Sequence, residues 1–600
     1  MVETTSSSSP RPDPMPKQLS LIKMGLLALG LGIFTGCGAA FFRWLIGLVH
    51  NFAFLGQWSF HYDTSRFTGP SPWGAGIILA PMIGGLIVTF LIVNFAPEAR
   101  GHGVPEVMDA IFYKKGVIRP VVAAVKSLAS AVAIGTGAAV GREGPIIQIG
   151  SAFGSTLGQR LRLAPNQCVV LVAAGAGGGI AATFNTPIGG VMFALELMMT
   201  EISISTFVPV AIATAVATYV GRALLGNEPA FYVPALPPLA TSLPVVGELF
   251  LFVLLGVIIG LAAGGFVRGL YVSEQIFGRV KNSYTRHMIG MLIMGLLIYG
   301  FYVFAGHYYV EGVGYAMIQA LLTGHLAPGL GEGAFVCLLL LFFVAKLFAT
   351  CVCLGSGSSG GIFSPSLFMG ASLGAGLAVV LHLLHLLPDS QIISFAMVGM
   401  AAMVAGGTGA AMTAVTMIFE MTRDYSIVIP MIITVAVAMG VRRLITTETL
   451  YTIKLVNRGH IIPSALQSNR FLVLHAADIM DPHFQLLSLS DTKAALTQAQ
   501  PVLLTDATGR LKAVLPSYCA FSHVDDAASL AEFSSTSFIV VEAKEISYHI
   551  IRQMRETGAI MAVVCRHAMP APSAEDIVGV ITKDQVADSV ADTVMGFNDA

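Results

Sequence analysis

Eleven apolar stretches, separated by short polar or glycine-rich breaks, run along the chain at 20–55, 75–97, 118–140, 164–200, 203–225, 245–278, 287–306, 334–352, 363–387, 390–423 and 427–447. A helix crossing the hydrocarbon core needs about 20 apolar residues, so this pattern predicts a polytopic helical membrane domain. The first run carries no clear cleavage site and reads as a retained helix rather than a signal peptide. Some runs are too long for one simple span, and glycine clusters at 101–103, 141–144, 175–179 and 355–361 predict breaks in others. Interrupted helices in both halves of a chain mark transporters built from repeats, with the site near the midplane. Broken backbone at that depth must be buried in protein or line a wet cavity. Residues 141–145 and 360–365 share one grammar, glycine followed by a helix with proline in its first turn.

Beyond residue 459 the pattern changes. Val514-Leu515, Phe538-Ile539-Val540-Val541 and the runs 560–564 and 578–581 read as short strands, and 547–557 reads as an amphipathic helix between two of them. That alternation predicts a soluble α/β unit. The resulting organisation is a disordered Ser/Pro-rich tail at 1–17, a membrane domain at 18–458, a linker at 459–470 and a soluble unit at 471–600.

Composition sharpens this. Of 600 residues, 55% are hydrophobic and 11% charged, where soluble domains carry about 25% charged residues. The net charge of −1 hides an asymmetry: residues 471–600 hold 16 acidic and 8 basic side chains, and the remainder holds 18 acidic and 25 basic. An acidic soluble unit behind a basic membrane part does not suggest nucleic-acid binding, which needs a basic patch on a soluble face. The seven cysteines form no CxxC or Cys/His cluster of zinc spacing, so no metal is expected. Cys519 and Cys565 fit a reducing cytosolic compartment.

The chemistry gathers at Gly141-Arg142-Glu143-Gly144-Pro145, which sets a carboxylate between two glycines inside an apolar region. The stretch reads as a buried helix N-terminus, whose free N–H groups and dipole favour an anion. Glu143 is itself a tethered anion, able to occupy such a site and to leave when protonated. The alternative is that Arg142 and Glu143 form a buried ion pair. Gly101-His102-Gly103-Val104-Pro105 and Gly361-Ile362-Phe363-Ser364-Pro365 open helices in the same way, and Tyr451 stands at the start of a last helix. Three helix starts and a phenol can converge on one anion. N–H and O–H donors replace its hydration without a fixed full charge that would hold it too tightly.

This set, with the run Phe184-Asn185-Thr186-Pro187, resembles the CLC family of chloride channels and proton/chloride antiporters over about residues 18–458. The resemblance implies an all-α polytopic membrane domain, an inverted repeat of tilted and broken helices, followed by the small α/β unit. It further implies a homodimer with one anion pathway per subunit in the lipid bilayer. Glu143 would be the gating glutamate. Backbone N–H groups of Ile362 and Phe363, with the Tyr451 hydroxyl, would hold a central anion. Arg142, Gly144, Phe363 and Ser364 would form an outer site. Two positions depart from the family. His102 stands where serine is common, which bears on selectivity and brings a group that titrates near neutrality. Leu197 stands where many antiporters carry an inner glutamate, just after Glu196, so protons are not carried, reach Glu143 by water alone, or use another acid such as Glu201, four residues on; Glu143, Glu196 and Glu201 are the candidate proton path. Ala477–Pro482 and Gly579–Asp584 resemble the opening and closing segments of a pair of CBS modules. Pro516-Ser517 and Gln585 depart from the nucleotide-binding pattern, so no nucleotide or other cofactor is expected.

The expected function is transport of chloride or a similar anion by proton/anion antiport, in a bacterial inner membrane with the C-terminal unit in the cytosol. The alternative within the family is a passive voltage- or pH-gated channel. An enzyme reading rests on Gly357-Ser358-Ser359-Gly360, which matches the GxSG of rhomboid intramembrane proteases, with Ser359 as nucleophile and His382 or His385 as base. A CBS-bearing cation transporter would need converging acids, and the apolar runs offer Glu143, Glu196 and Glu420, far apart in sequence.

Overall fold

The computed structural model describes residues 17–199, 201–234, 245–388, 391–460, 462, 473–491, 500–515, 529–567, 569 and 571–595. The tail at 1–16, most of the linker at 459–470, Pro516-Ser517 and Cys519 lie outside the described residues. The chain divides into a unit of residues 1–199 and 203–461 and a second of 200–202 and 462–600.

The first unit is built as two runs of eight helices. The first run is α1 (Leu21–Leu55), α2 (Leu79–Phe95), α3 (Val104–Tyr113), α4 (Val121–Gly135), α5 (Glu143–Arg160), α6 (Pro165–Phe184), α7 (Pro187–Phe193), which ends in a π turn at Ala194–Met198, and α8 (Ile204–Leu225). The second is α9 (Val245–Gly278), α10 (Ser283–Ala305), α11 (Tyr315–Leu322), α12 (Glu332–Ser356), α13 (Phe363–Leu383), α14 (Ile392–Thr408), α15 (Ala411–Thr422) and α16 (Val428–Ile445). A short α17 (Ile453–Val456) follows. Among the described residues nine helices are long and apolar enough to span a bilayer, whereas α3, α7 and α11 have only 10, 7 and 8 residues.

The runs are related by a local two-fold axis. Gly141 and Gly361 hold equivalent places before α5 and α13 and pair antiparallel, each N–H donating to the other's carbonyl at 2.7 and 2.6 Å. A residue that pairs with its own counterpart in this way lies beside the axis. Other features repeat across it. The Lys126 ammonium on α4 donates to Ala99 O and Gly101 O at 2.9 and 2.7 Å, ahead of α3. Lys346 on α12 donates to Val310 O and Gly312 O at 3.0 and 2.8 Å, ahead of α11. These buried lysines supply hydrogen bonds to carbonyls of the broken backbone ahead of each short helix.

Two sequence expectations change, and the expectation that some apolar runs exceed a single span holds. Residues 175–179 do not break a helix but lie inside α6. Their glycines serve close packing: a Cβ on Gly175 would stand 2.1 Å from Gly150 O of α5, and one on Gly179 would stand 2.7 Å from Ile146 O. Without hydrophobic attraction between helices in lipid, such backbone approach is what holds them together. The other half repeats the arrangement, a Cβ on Gly370 of α13 falling 2.3 Å from Gly399 O of α14. Tyr451 precedes α17 rather than starting it. The apolar runs 164–200 and 390–423 each split into two helices, at Asn185 (φ 61°) and at Gly409 (φ 83°).

Among the described residues the second unit carries two three-stranded sheets of the same topology. The strands are β1 (Gln485–Ser488), β2 (Val502–Thr505), β3 (Leu511–Val514), β4 (Phe538–Glu542), β5 (Met561–Cys565) and β6 (Ile577–Thr582). In each sheet the first pair is parallel and the second antiparallel. The helices are α18 (Ala476–Ile479), α19 (Ser547–Thr557) and α20 (Lys583–Met595). Ile550 and Met554 of α19 pack with Ile539, Val541, Ala562 and Val564 in one core. The helix expected at 547–557 and the strands near 538, 561 and 578 are present, the strand expected at Val514-Leu515 runs instead over Leu511–Val514, and β1 and β2 were not expected.

Candidate functional site

The paired glycines bring the starts of α5 and α13 face to face. Pro145 and Pro365 sit in the first turns, where a missing N–H costs no hydrogen bond. The glycines of the first motif are there for space. A Cβ at Gly141 would lie 2.1 Å from Glu143 Oε2, and one at Gly144 would lie 2.0 Å from His102 O. The second contact ties the α5 start to the segment that leads into α3.

Glu143 is fully buried and its carboxylate points across the two-fold axis. Oε2 accepts from the Ser364 N–H at 3.3 Å, a first-turn donor of α13. Oε1 accepts from the Ser364 hydroxyl and from the Tyr315 hydroxyl, the latter at 2.6 Å. Helix starts leave N–H groups without intrahelical partners, so the N–H groups of Ile362 and Phe363 stand ready in the same turn. Among the described residues Arg142 makes no ion pair with Glu143. Its guanidinium instead lies 5.3 Å from the Tyr315 ring centroid and 6.0 Å from that of Phe184, at cation–π distance. The buried-pair alternative is thereby set aside.

His102 is 2% exposed, and among the described residues its Nδ1 has no hydrogen-bond partner. Its ring stands 5.8 Å from that of Tyr451, itself buried. Thus Arg142, Glu143, Gly144 and Ser364 cluster, and His102 and Tyr451 neighbour one another. Glu196 is otherwise engaged: its carboxylate accepts from Met412 N at 3.1 Å and from Thr413 N and Oγ1 at 2.9 and 2.7 Å, closing the start of α15. Glu201 is not one helical turn beyond Leu197. The π turn ends at Met198, Met199 is extended (ψ 141°), and Glu201 lies in the non-helical stretch before α8.

Ser359 is not poised as a nucleophile. Its hydroxyl donates to Ala99 O at 2.8 Å and lies 2.8 Å from Ser130 Oγ. His382 Nδ1 is paired with Leu387 O at 2.9 Å, and its Nε2 faces Glu332 at 3.7 Å. The residue that motif reading missed is Tyr315. Its signal was the repeat itself: Gly312-Val313-Gly314-Tyr315 matches Gly101-His102-Gly103-Val104, with Gly314 (φ 78°) and Gly103 (φ 85°) both left-handed.

A two-fold repeat of broken helices, with a tethered carboxylate on the donors of a facing helix start, defines a membrane transporter of the anion-conducting class. The profile described as voltage gated chloride channel matches residues 84–443, and the chain belongs to that family. It is 32% identical over 392 residues to the H(+)/Cl(-) exchange transporter ClcA of Vibrio parahaemolyticus, covering 63% of this chain and 79% of that one. In fold it is similar to a slow cyanobacterial Cl-/H+ antiporter, with a TM-score of 0.60 and 23% identity over 73% of this chain and 98% of the other. A eukaryotic CLC transporter is similar over 94% of this chain and 98% of its own, with a TM-score of 0.56 and 19% identity.

Proposed function

We propose that this protein exchanges protons for chloride or a similar small anion, with Glu143 as gate and proton carrier. The observation that carries this reading is the placement of the Glu143 carboxylate on the Ser364 N–H, the Ser364 hydroxyl and the Tyr315 hydroxyl. Those donors suit an anion, and a tethered one competes with a free one. Taking up a proton removes the negative charge, releases the side chain and opens the donors to chloride. Losing the proton on the other side restores the block. One carboxylate thereby couples two ions.

In this reading the N–H groups of Ile362 and Phe363, the Tyr451 hydroxyl and the His102 imidazole hold the central anion. Backbone around Arg142 and Gly144, with Ser364, forms the outer site. Helix-start donors supply attraction without a fixed charge, which suits turnover. Exchange activity in the curated relative supports the same assignment. With Glu196 capping α15, the inner proton route falls to water or to Glu201. The protein works as a homodimer in a bacterial inner membrane, with a CBS-like pair at 471–600 in the cytosol that regulates or packs without nucleotide. The repeated sheet topology of the second unit supports that pair.

Leu197 favours a second reading, a passive chloride channel, because leucine carries no proton. Reversal potential in a planar bilayer under combined pH and chloride gradients separates the two. A coupled exchanger shifts with both gradients, and a reversal potential that follows chloride alone overturns antiport.

A further inference from the structure

Tyr315 supplies one of the donors on the gate carboxylate, and the gate reading gives it no role of its own beyond that. It is the first residue of α11, fully buried, and follows Gly314, whose φ of 78° turns the chain into the helix. Lys346 fixes that turn through Val310 O and Gly312 O. The ring is packed edge-on by Phe231 at 5.2 Å and faced by the Arg142 guanidinium at 5.3 Å. Its hydroxyl donates to Glu143 Oε1 at 2.6 Å and lies 2.8 Å from Ser364 Oγ. On its other side the residue lines an open cleft together with Tyr62, Arg66, Thr68 and Glu311. One side chain thus stands between that cleft and the carboxylate of the gate.

We propose that Tyr315 is the latch of the gate, a positioning residue whose hydroxyl holds the ionised Glu143 on the α13 start and sets the pH at which the gate lets go. This rests on Glu143 being the gate. A phenol donates one hydrogen bond to a carboxylate, and that bond favours the charged form over the neutral acid. Packing by Phe231 and Arg142 on a fully buried ring keeps the donor aimed. The other ionisable groups around the carboxylate are Arg142 on its own helix, Arg43 of α1 beside Arg142, Lys346 of α12, Tyr451 ahead of α17, and Glu311 across the cleft. Lys346 is committed to two carbonyls and Arg142 to two rings, which leaves Ser364 and Tyr315 as the direct donors described here.

The test uses the full chain in proteoliposomes, with chloride efflux measured across pH for the parent, Tyr315→Phe, Glu143→Gln and the double variant. Phenylalanine keeps the ring and its packing and removes only the donor. The pH of half-maximal flux is expected to rise by about one unit in Tyr315→Phe, the share of one donor among three on a carboxylate. The double variant is expected to match Glu143→Gln, with no pH midpoint left to move. A midpoint unchanged in Tyr315→Phe, or one that changes equally with and without Glu143, overturns the latch. If Glu143→Gln keeps the parent's pH profile, the gate reading falls and the latch with it. Ring-fluorinated tyrosine at 315 is isosteric and a stronger donor, so it folds where phenylalanine fails. The latch then requires the midpoint to fall, and a rise or no change rejects it.

Discussion

Glu196 and Glu420 close each other's helices. Glu196, on the π turn after α7, accepts three hydrogen bonds at the start of α15, and Glu420 on α15 accepts from Ile188 N and Gly189 N at 3.1 and 2.7 Å at the start of α7. The two carboxylates are counterparts across the repeat axis, and each also faces the positive end of a helix dipole. Acid residues inside a membrane domain are ordinarily assigned to ion pathways. Here hydrogen bonding accounts for both.

Glu196→Ala and Glu420→Ala are therefore expected to destabilise the protein by roughly 1–3 kcal/mol each, since each leaves helix-start donors unpaired. Glu196→Gln, which keeps one acceptor oxygen, is expected to cost less and to preserve proton coupling. Thermal unfolding in detergent and chloride-driven proton uptake in liposomes read the two effects separately. Uptake lost at normal stability would return Glu196 to the proton route.

Glu143→Gln is expected to leave anion flux intact or faster and to abolish its pH dependence. Glutamine has the shape of the protonated acid and no charge with which to hold the helix start. In the parent, flux is expected to climb as pH falls, because the neutral acid yields the site. A folded variant without chloride flux would remove Glu143 from the gate.

Gly141-Arg142-Glu143-Gly144-Pro145 was legible because its residue types answer to geometry: glycine where a Cβ would strike Glu143 or His102, proline where a helix begins. Tyr315 was not singled out, because a lone tyrosine between two apolar runs carries no motif of its own until the fold brings it to a carboxylate 172 positions away. The glycines at 175–179 misled for the opposite reason. In isolation they disfavour a helix, yet neighbouring backbones close enough to forbid a side chain make them the residues that fit.

His102→Ala and Tyr451→Phe are expected to change discrimination among chloride, bromide and nitrate more than they change stability. Each removes a donor worth about 0.5–1.5 kcal/mol net, and competing small anions differ by similar amounts. Among the described residues, Nδ1 of buried His102 has no hydrogen-bond partner. Anion-competition flux assays measure this. Unchanged ratios in both variants would mean that neither group meets the anion.

In the proposed reading, the inner proton route falls to Glu201 or to water. The expectation that it follows Leu197 by one helical turn does not hold, since the helix ends at Met198. After Glu196, which is bound to the start of α15, it is the next acid in sequence to the leucine, outside any helix and half-buried. An acid at the end of a membrane segment can exchange protons with bulk water on one side and with an internal water file on the other. If Glu201 performs that exchange, Glu201→Gln is expected to slow chloride-driven proton uptake several-fold while chloride flux in the Glu143→Gln background stays unchanged. If water alone serves, uptake is unaffected, because no ionisable group other than Glu143 is then needed. The measurement is proton uptake by pH electrode in liposomes bearing the parent or Glu201→Gln under a chloride gradient. Parent liposomes that take up no protons would dismiss exchange altogether and leave the passive channel that Leu197 favours.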